Sequence, residues 1–149
     1  MSEEEKTSKI LVVDDNEQNL ELLVAYLEPL ECKVEVARDG VEAAEKVERD
    51  PPSLVLLDIM MPRMSGFECC RKLKSSPKSR DIPVLMVTAL NSMEDIEQAV
   101  ESGTDDFISK PVNRLELRTR VKNLLKVSEL TDKLERTMAY IQQIDAPQK

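Results

Sequence analysis

The sequence predicts a doubly wound α/β fold. Three observations carry that expectation. Short apolar runs rich in β-branched residues recur along the chain, amphipathic helical patterns separate them, and the two alternate five times in order. The runs Ile10–Val13, Val34–Ala37, Leu54–Leu57 and Val84–Val87 are the expected strands, with a weaker fifth at Phe107–Ser109. They do not alternate apolar with polar residues, as expected of parallel strands covered on both faces.

The helices follow in order. Leu20, Leu23, Val24 and Leu27 fall at i, i+3, i+4 and i+7 behind Asn16, a suitable N-cap. Val41, Ala44 and Val47 mark a second helix after Asp39-Gly40, and Phe67, Cys70 and Leu73 a third. Ile96, Ala99 and Val100 mark a fourth, ended by Gly103, and Leu117, Val121 and Leu124 begin a fifth. Right-handed crossovers then give a five-stranded parallel sheet with helices on both faces. We take the strand order as 2-1-3-4-5, the flavodoxin-like (βα)5 arrangement; periodicity alone does not set it.

The last helical pattern contains no Gly or Pro until Pro147. If continuous from Asn113 to Ile144, it spans ~48 Å at ~1.5 Å per residue. Val127, Leu130, Leu134, Thr137, Ile141 and Ile144 alternate at three and four residues, an a/d seam of about two and a half heptads. The expectation is a homodimer through this extended C-terminal helix; the alternative is a solvated linker.

Composition bounds the function. The chain has 149 residues and a formal net charge of -8. That length suits one domain with a modest extension. The acidic balance argues against direct nucleic-acid binding and against anionic membranes, because phosphates are repelled. There is no histidine, which excludes Ser-His-Asp and Cys-His sites and a phosphohistidine relay within the chain. Cys32, Cys69 and Cys70 form no CxxC pair and are expected as reduced, partly buried thiols of a cytoplasmic protein. Met1–Lys9 is polar, without the apolar core of a signal peptide, and no apolar run reaches the ~20 residues needed for membrane insertion.

Chemistry collects where the strands end. The first run ends in Asp14-Asp15, the third in Asp58, the fourth in Thr88-Ala89, and the fifth is followed by Lys110-Pro111. In open α/β sheets ligands bind at this edge. Three carboxylates there repel one another, and one lysine cannot neutralise them. A hard divalent cation such as Mg2+ can, through oxygen ligands. A carboxylate can also act as nucleophile toward phosphorus, with cation, lysine, hydroxyl and backbone N–H groups stabilising the phosphoryl oxygens. Asp58 is expected to be ionised at neutral pH, so no general base is needed.

The stretches ILVVDDN (10–16), LVLLDIMMPRMSG (54–66), VLMVTA (84–89) and GTDDFISKP (103–111) resemble the bacterial response-regulator receiver family, over roughly residues 8 to 127. The resemblance implies a phosphorylation-controlled receiver in two-component signalling, not an enzyme beyond its own phosphorylation and dephosphorylation. It implies Asp58 as phosphoacceptor, with Asp14, Asp15, Asp58 and the backbone carbonyl of Met60 holding Mg2+ or Mn2+. Lys110, Thr88 and the Ala89 backbone N–H would bind the phosphoryl group. Thr88 and Phe107 would form the switch, and the Lys110–Pro111 bond would be cis. The implied donor is a histidine kinase or histidine phosphotransfer protein. The implied domains are a flexible N-terminus at 1–8, the receiver at 9–127 and a helical extension or linker at 128–149. Met60 and Leu90 would flank the approach of hydrolytic water, and their apolar character predicts a long-lived phosphorylated form. Ser65 departs from the aspartate the family often carries before the glycine.

Two other readings compete. An aspartyl-nucleophile, phosphatase-like hydrolase usually carries a second acid two positions after the nucleophile, and here that position is Met60. A phosphate-independent scaffold does not need the intact set of Asp14, Asp15, Asp58, Thr88 and Lys110.

Overall fold

A computed structural model of the chain describes residues 8–59, 61, 64–89 and 93–145. The elements run β1 (Lys9–Val13), α1 (Glu17–Leu27), a 3-10 turn (Glu28–Leu30), β2 (Lys33–Ala37), α2 (Gly40–Arg49), β3 (Leu54–Asp58), α3 (Gly66–Ser75), β4 (Val84–Thr88), α4 (Met93–Glu101), β5 (Asp106–Ser109) and α5 (Arg114–Asp145). All neighbouring strands pair in parallel, in the order β2-β1-β3-β4-β5. The expected architecture and strand order are thus observed.

Successive strand residues point to opposite faces, and each face has its own core. Ile10, Val12, Leu54, Leu56, Leu85 and Val87 pack with Leu20, Leu23 and Leu27 of α1 and Leu117 and Val121 of α5. Leu11, Val13, Val55, Leu57 and Met86 pack on the other face with Ala43 and Val47 of α2, Phe67, Cys70 and Leu73 of α3, and Ala99 of α4. The central strands β3 and β4 are buried throughout, which explains their unbroken apolar sequence.

Several expectations are corrected. The edge strand β2 is only half-buried until Ala37, since no further strand covers its outer side. In α2 the buried stripe is Ala43 and Val47, not Val41 and Ala44; Val41 is exposed. In α4 Ala99 is buried while Val100 faces outward. On both helices the face turned to the sheet is narrow, so only some of the neighbouring apolar residues reach it. Cys69 and Cys70 are fully buried rather than partly so, and only Cys32 is intermediate. Burial raises all three thiol pKa values, that of Cys69 to about 12, so these are packing groups rather than reactive thiolates.

The helix ends follow their local chemistry. The Asn16 side chain accepts the Asn19 N–H at 3.0 Å, as an N-cap should. Gly103, at φ 95°, turns the chain after α4, and its N–H donates to the Val100 carbonyl at 3.0 Å.

Candidate functional site

The sheet carries the expected residues to one edge. Asp14 follows β1, Asp58 ends β3, Thr88 ends β4, and Lys110 follows β5. Asp58 lies opposite Val87 in the β3–β4 register, and Thr88 opposite Ser109 in β4–β5. The Lys110 backbone N–H donates to the Thr88 carbonyl at 2.7 Å, which fixes the lysine beside β4. Its Nζ reaches Asp58 Oδ1 at 3.4 Å. The Lys110–Pro111 peptide bond is cis.

Asp14, Asp15 and Asp58 each offer a carboxylate oxygen, all within 4.8 Å of one another. Asp14 and Asp58 are buried and Asp15 is exposed, so the cluster opens to solvent on one side. The Asn16 backbone N–H donates to Asp14 Oδ1 at 2.9 Å. Asp14 Oδ2 is buried with no hydrogen-bond partner. A buried carboxylate oxygen left unpaired is costly, and natural proteins avoid it unless something else binds there. Three converging carboxylates with one orphaned oxygen form an oxygen-only donor set suited to a hard cation such as Mg2+.

The electrostatics agree. Burial is the main force raising the Asp58 pKa, to about 6; the Asp14 charge adds to it and Lys110 opposes it. Burial likewise raises the Asp14 pKa, partly offset by the Asn16 N–H and then Lys110. Metal-free Asp58 therefore sits closer to neutral pH than an ordinary aspartate. At neutral pH the carboxylate is still mostly ionised, as expected, and takes up its proton as pH falls toward 6.

Of the other expected residues, Ala89 is exposed after β4, and Phe107 lies part-buried on β5 against the α2–α4 core. Thr88 is almost fully buried, at 1% exposure. Met60 and Leu90 lie outside the described residues.

Two supporting residues carried little sequence signal. Gly66 starts α3 directly against the end of β3, its N–H donating to the Ile59 carbonyl at 2.8 Å. A Cβ there would lie 2.5 Å from Ile59 Cα and closer still to the Asp58 carbonyl oxygen. Gly66→Ala must therefore move backbone beneath Asp58. We expect it to cost roughly 2–3 kcal/mol, read as a lower urea midpoint with an unchanged slope. At Gly40 the added Cβ would meet the Met64 side chain, 2.7 Å from its sulfur, which can yield. Gly40→Ala is expected to cost less in the same assay. Ser65, the departure from the family pattern, makes a capping box. Its side chain accepts the Glu68 N–H at 3.2 Å, and Glu68 accepts the Ser65 N–H at 3.1 Å. Serine and aspartate both cap helices well, so the difference is conservative.

Residues 10–122 match the response regulator receiver domain family. The chain belongs to that family. Receivers are signalling modules of two-component response regulators rather than enzymes of the ordinary kind. The chain is 44% identical over 133 residues to the response regulator PleD of Caulobacter vibrioides, covering 89% of this chain and 29% of that protein. The chain thus spans less than a third of that relative. Among solved structures it resembles the receiver domain of a signal transduction histidine kinase from Syntrophus aciditrophicus, with 38% identity and a TM-score of 0.77 over 80% of this chain and 91% of that one. It also resembles the receiver domain of the sensor histidine kinase PA1611 from Pseudomonas aeruginosa, described with a magnesium ion coordinated in its active site cleft. That match has 27% identity and a TM-score of 0.76 over 81% of this chain and 99% of that one.

Proposed function

We propose that this receiver accepts a phosphoryl group on Asp58 from a histidine kinase or histidine phosphotransfer protein, with Mg2+ or Mn2+ held by Asp14, Asp15, Asp58 and the Met60 carbonyl. The observation that carries the reading is the orphaned Asp14 Oδ2 beside Asp15 and Asp58. In the transfer, an Asp58 carboxylate oxygen attacks phosphorus and forms the new P–O bond. The P–N bond of the donor phosphohistidine breaks, and the imidazole nitrogen leaves with its electron pair. The cation, when bound, neutralises the carboxylates and offsets charge on the phosphoryl oxygens. The Lys110 ammonium, 3.4 Å from Asp58 Oδ1, supplies a second positive charge. The Thr88 hydroxyl and the Ala89 N–H complete the phosphoryl-binding set.

The switch follows as part of the same reading. Drawing Thr88 toward the phosphoryl oxygens frees space beside β5, and Phe107 turns further into the core it already touches. That inward state gains apolar burial at ~25 cal/mol per Å2. The affected surface is α4, β5 and α5.

Intact mass after incubation with acetyl phosphate and Mg2+ tests the function. The expected result is one added phosphoryl group, lost when EDTA replaces Mg2+. No gain under any donor condition would favour a phosphate-independent scaffold. Asp15→Asn is expected to weaken Mg2+ binding about tenfold, a loss of ~1.4 kcal/mol, read by titration calorimetry.

Lifetime gives another prediction. Met60 and Leu90 cannot orient a hydrolytic water, whereas polar side chains can. Met60→Asn/Leu90→Glu is expected to speed loss of the phosphoryl group about tenfold, or ~1.4 kcal/mol of barrier. Decay of phosphorylated protein after donor removal measures it. Equal decay in both proteins rejects side-chain control of the water.

A further inference from the structure

We propose that the part of α5 beyond the receiver body pairs in parallel with the same segment of a second copy, as a two-stranded coiled coil. The proposal is independent of the phosphorylation chemistry. It starts from two different faces on one helix. Leu117 and Val121 are buried against the sheet, and Leu124 packs against that core. Further along, Val127, Leu130, Leu134, Met138 and Ile141 are 57%, 57%, 59%, 51% and 48% exposed.

At ~100° per residue, the second stripe lies roughly 110° around the axis from the first. The chain's own body therefore does not lie over it. Two such helices can meet along this stripe with each body standing to the side. Unpartnered apolar stripes of this length are unusual on a solvated helix, which has no reason to keep them in register.

The stripe has heptad spacing. Val127, Leu134 and Ile141 take a positions and Leu130 a d position, with Thr137 as a polar d. The β-branched Val127 and Ile141 at a, with Leu130 at d, favour two strands over three or four in a parallel coil. Charge argues for the parallel pair. An antiparallel pair centred on Leu134 sets Lys133 against Lys133, whereas the parallel pair sets Lys133 beside the partner's apolar Met138. With five half-exposed apolar side chains per copy, the buried area is on the order of 1,000 Å2, the lower bound for specific association. The dimer is expected to be weak and concentration-dependent.

Sedimentation of the whole chain from micromolar to submillimolar concentration tests this. The expected result is a shift from monomer toward dimer, weakened at least tenfold by Leu130→Lys/Leu134→Lys. Far-UV circular dichroism and thermal melting check that the variant remains folded. A monomer at every concentration, or association unmoved by the double substitution, overturns the proposal. Orientation is read by disulfide cross-linking of Val127→Cys and Ile141→Cys in a Cys32→Ala background, where Cys69 and Cys70 remain buried. Each variant cross-linking to itself supports the parallel arrangement. Cross-links formed only when the two variants are mixed show an antiparallel pair and overturn it.

Discussion

Asp58→Asn is expected to abolish phosphorylation completely. The amide nitrogen and oxygen are far weaker nucleophiles than a carboxylate and form no stable acyl phosphate. The substitution keeps the size of the side chain at the end of the buried strand β3, so the sheet should survive. Intact mass after incubation with acetyl phosphate and Mg2+ reads the outcome directly. Asp14 and Asp15 remain in the variant and lie within reach of the same donor. Full labelling of Asp58→Asn would therefore move the phosphoacceptor to one of them. The hydrolase alternative is separated in the same experiment, because it predicts continuing release of phosphate from an added phosphomonoester.

The metal-free protein is expected to become more stable as pH falls from about 7.5 to 5, the reverse of ordinary acid behaviour. The sign follows from the direction of the shifts. Asp58 and Asp14 both have folded-state pKa values above those of an unfolded aspartate. The folded state therefore binds more protons in this window, and stability rises as pH falls through the Asp58 value of about 6. The chain contains no histidine, so no imidazole titration overlaps the effect. Between about pH 7.5 and 5 a shift from 3.8 to about 6 contributes on the order of 1.4 kcal/mol, about half of the ~3 kcal/mol reached only once pH falls below both values. For a chain of this size the gain in this window is roughly 3–6 °C in Tm. Glu42 opposes the trend only at lower pH, because its pKa is lowered by the Arg38 backbone N–H and, less strongly, by Lys46. Thermal melts in EDTA at several pH values measure it. Asp58→Asn should melt higher at pH 7.5 and lose most of the pH dependence. Saturating Mg2+ should invert the slope, since cations bind the deprotonated carboxylates. A flat metal-free profile would mean that water reaches these carboxylates more freely than their burial implies.

Much of the architecture was legible in order along the chain. The strands β3 and β4 read as unbroken apolar runs because both their faces are covered, and the N-cap Asn16 stood where a short polar side chain accepts a backbone N–H group. The acidic pair, Asp58, Thr88 and Lys110 could be grouped before any coordinates, because strand ends in a parallel sheet share one edge. The edge strand β2 and the helix faces at Val41 and Val100 were less legible. There, burial depends on what packs alongside, and local periodicity does not encode a neighbour.

The sequence by itself determined the alternation of elements, the identity of the carboxylates and the heptad spacing of the last helix. Each rests on local chemistry or on the period of the backbone. Only the tertiary structure decided that Asp14 Oδ2 is buried without a partner, that the Asp58 pKa is pushed to about 6, and that α3 begins against the Asp58 carbonyl at Gly66. It also decided that the seam on α5 stays outside the body that the same helix helps to bury. These are properties of distance and solvent access between residues far apart in the chain. Such separations exist only once the sheet has closed and brought the strand ends together.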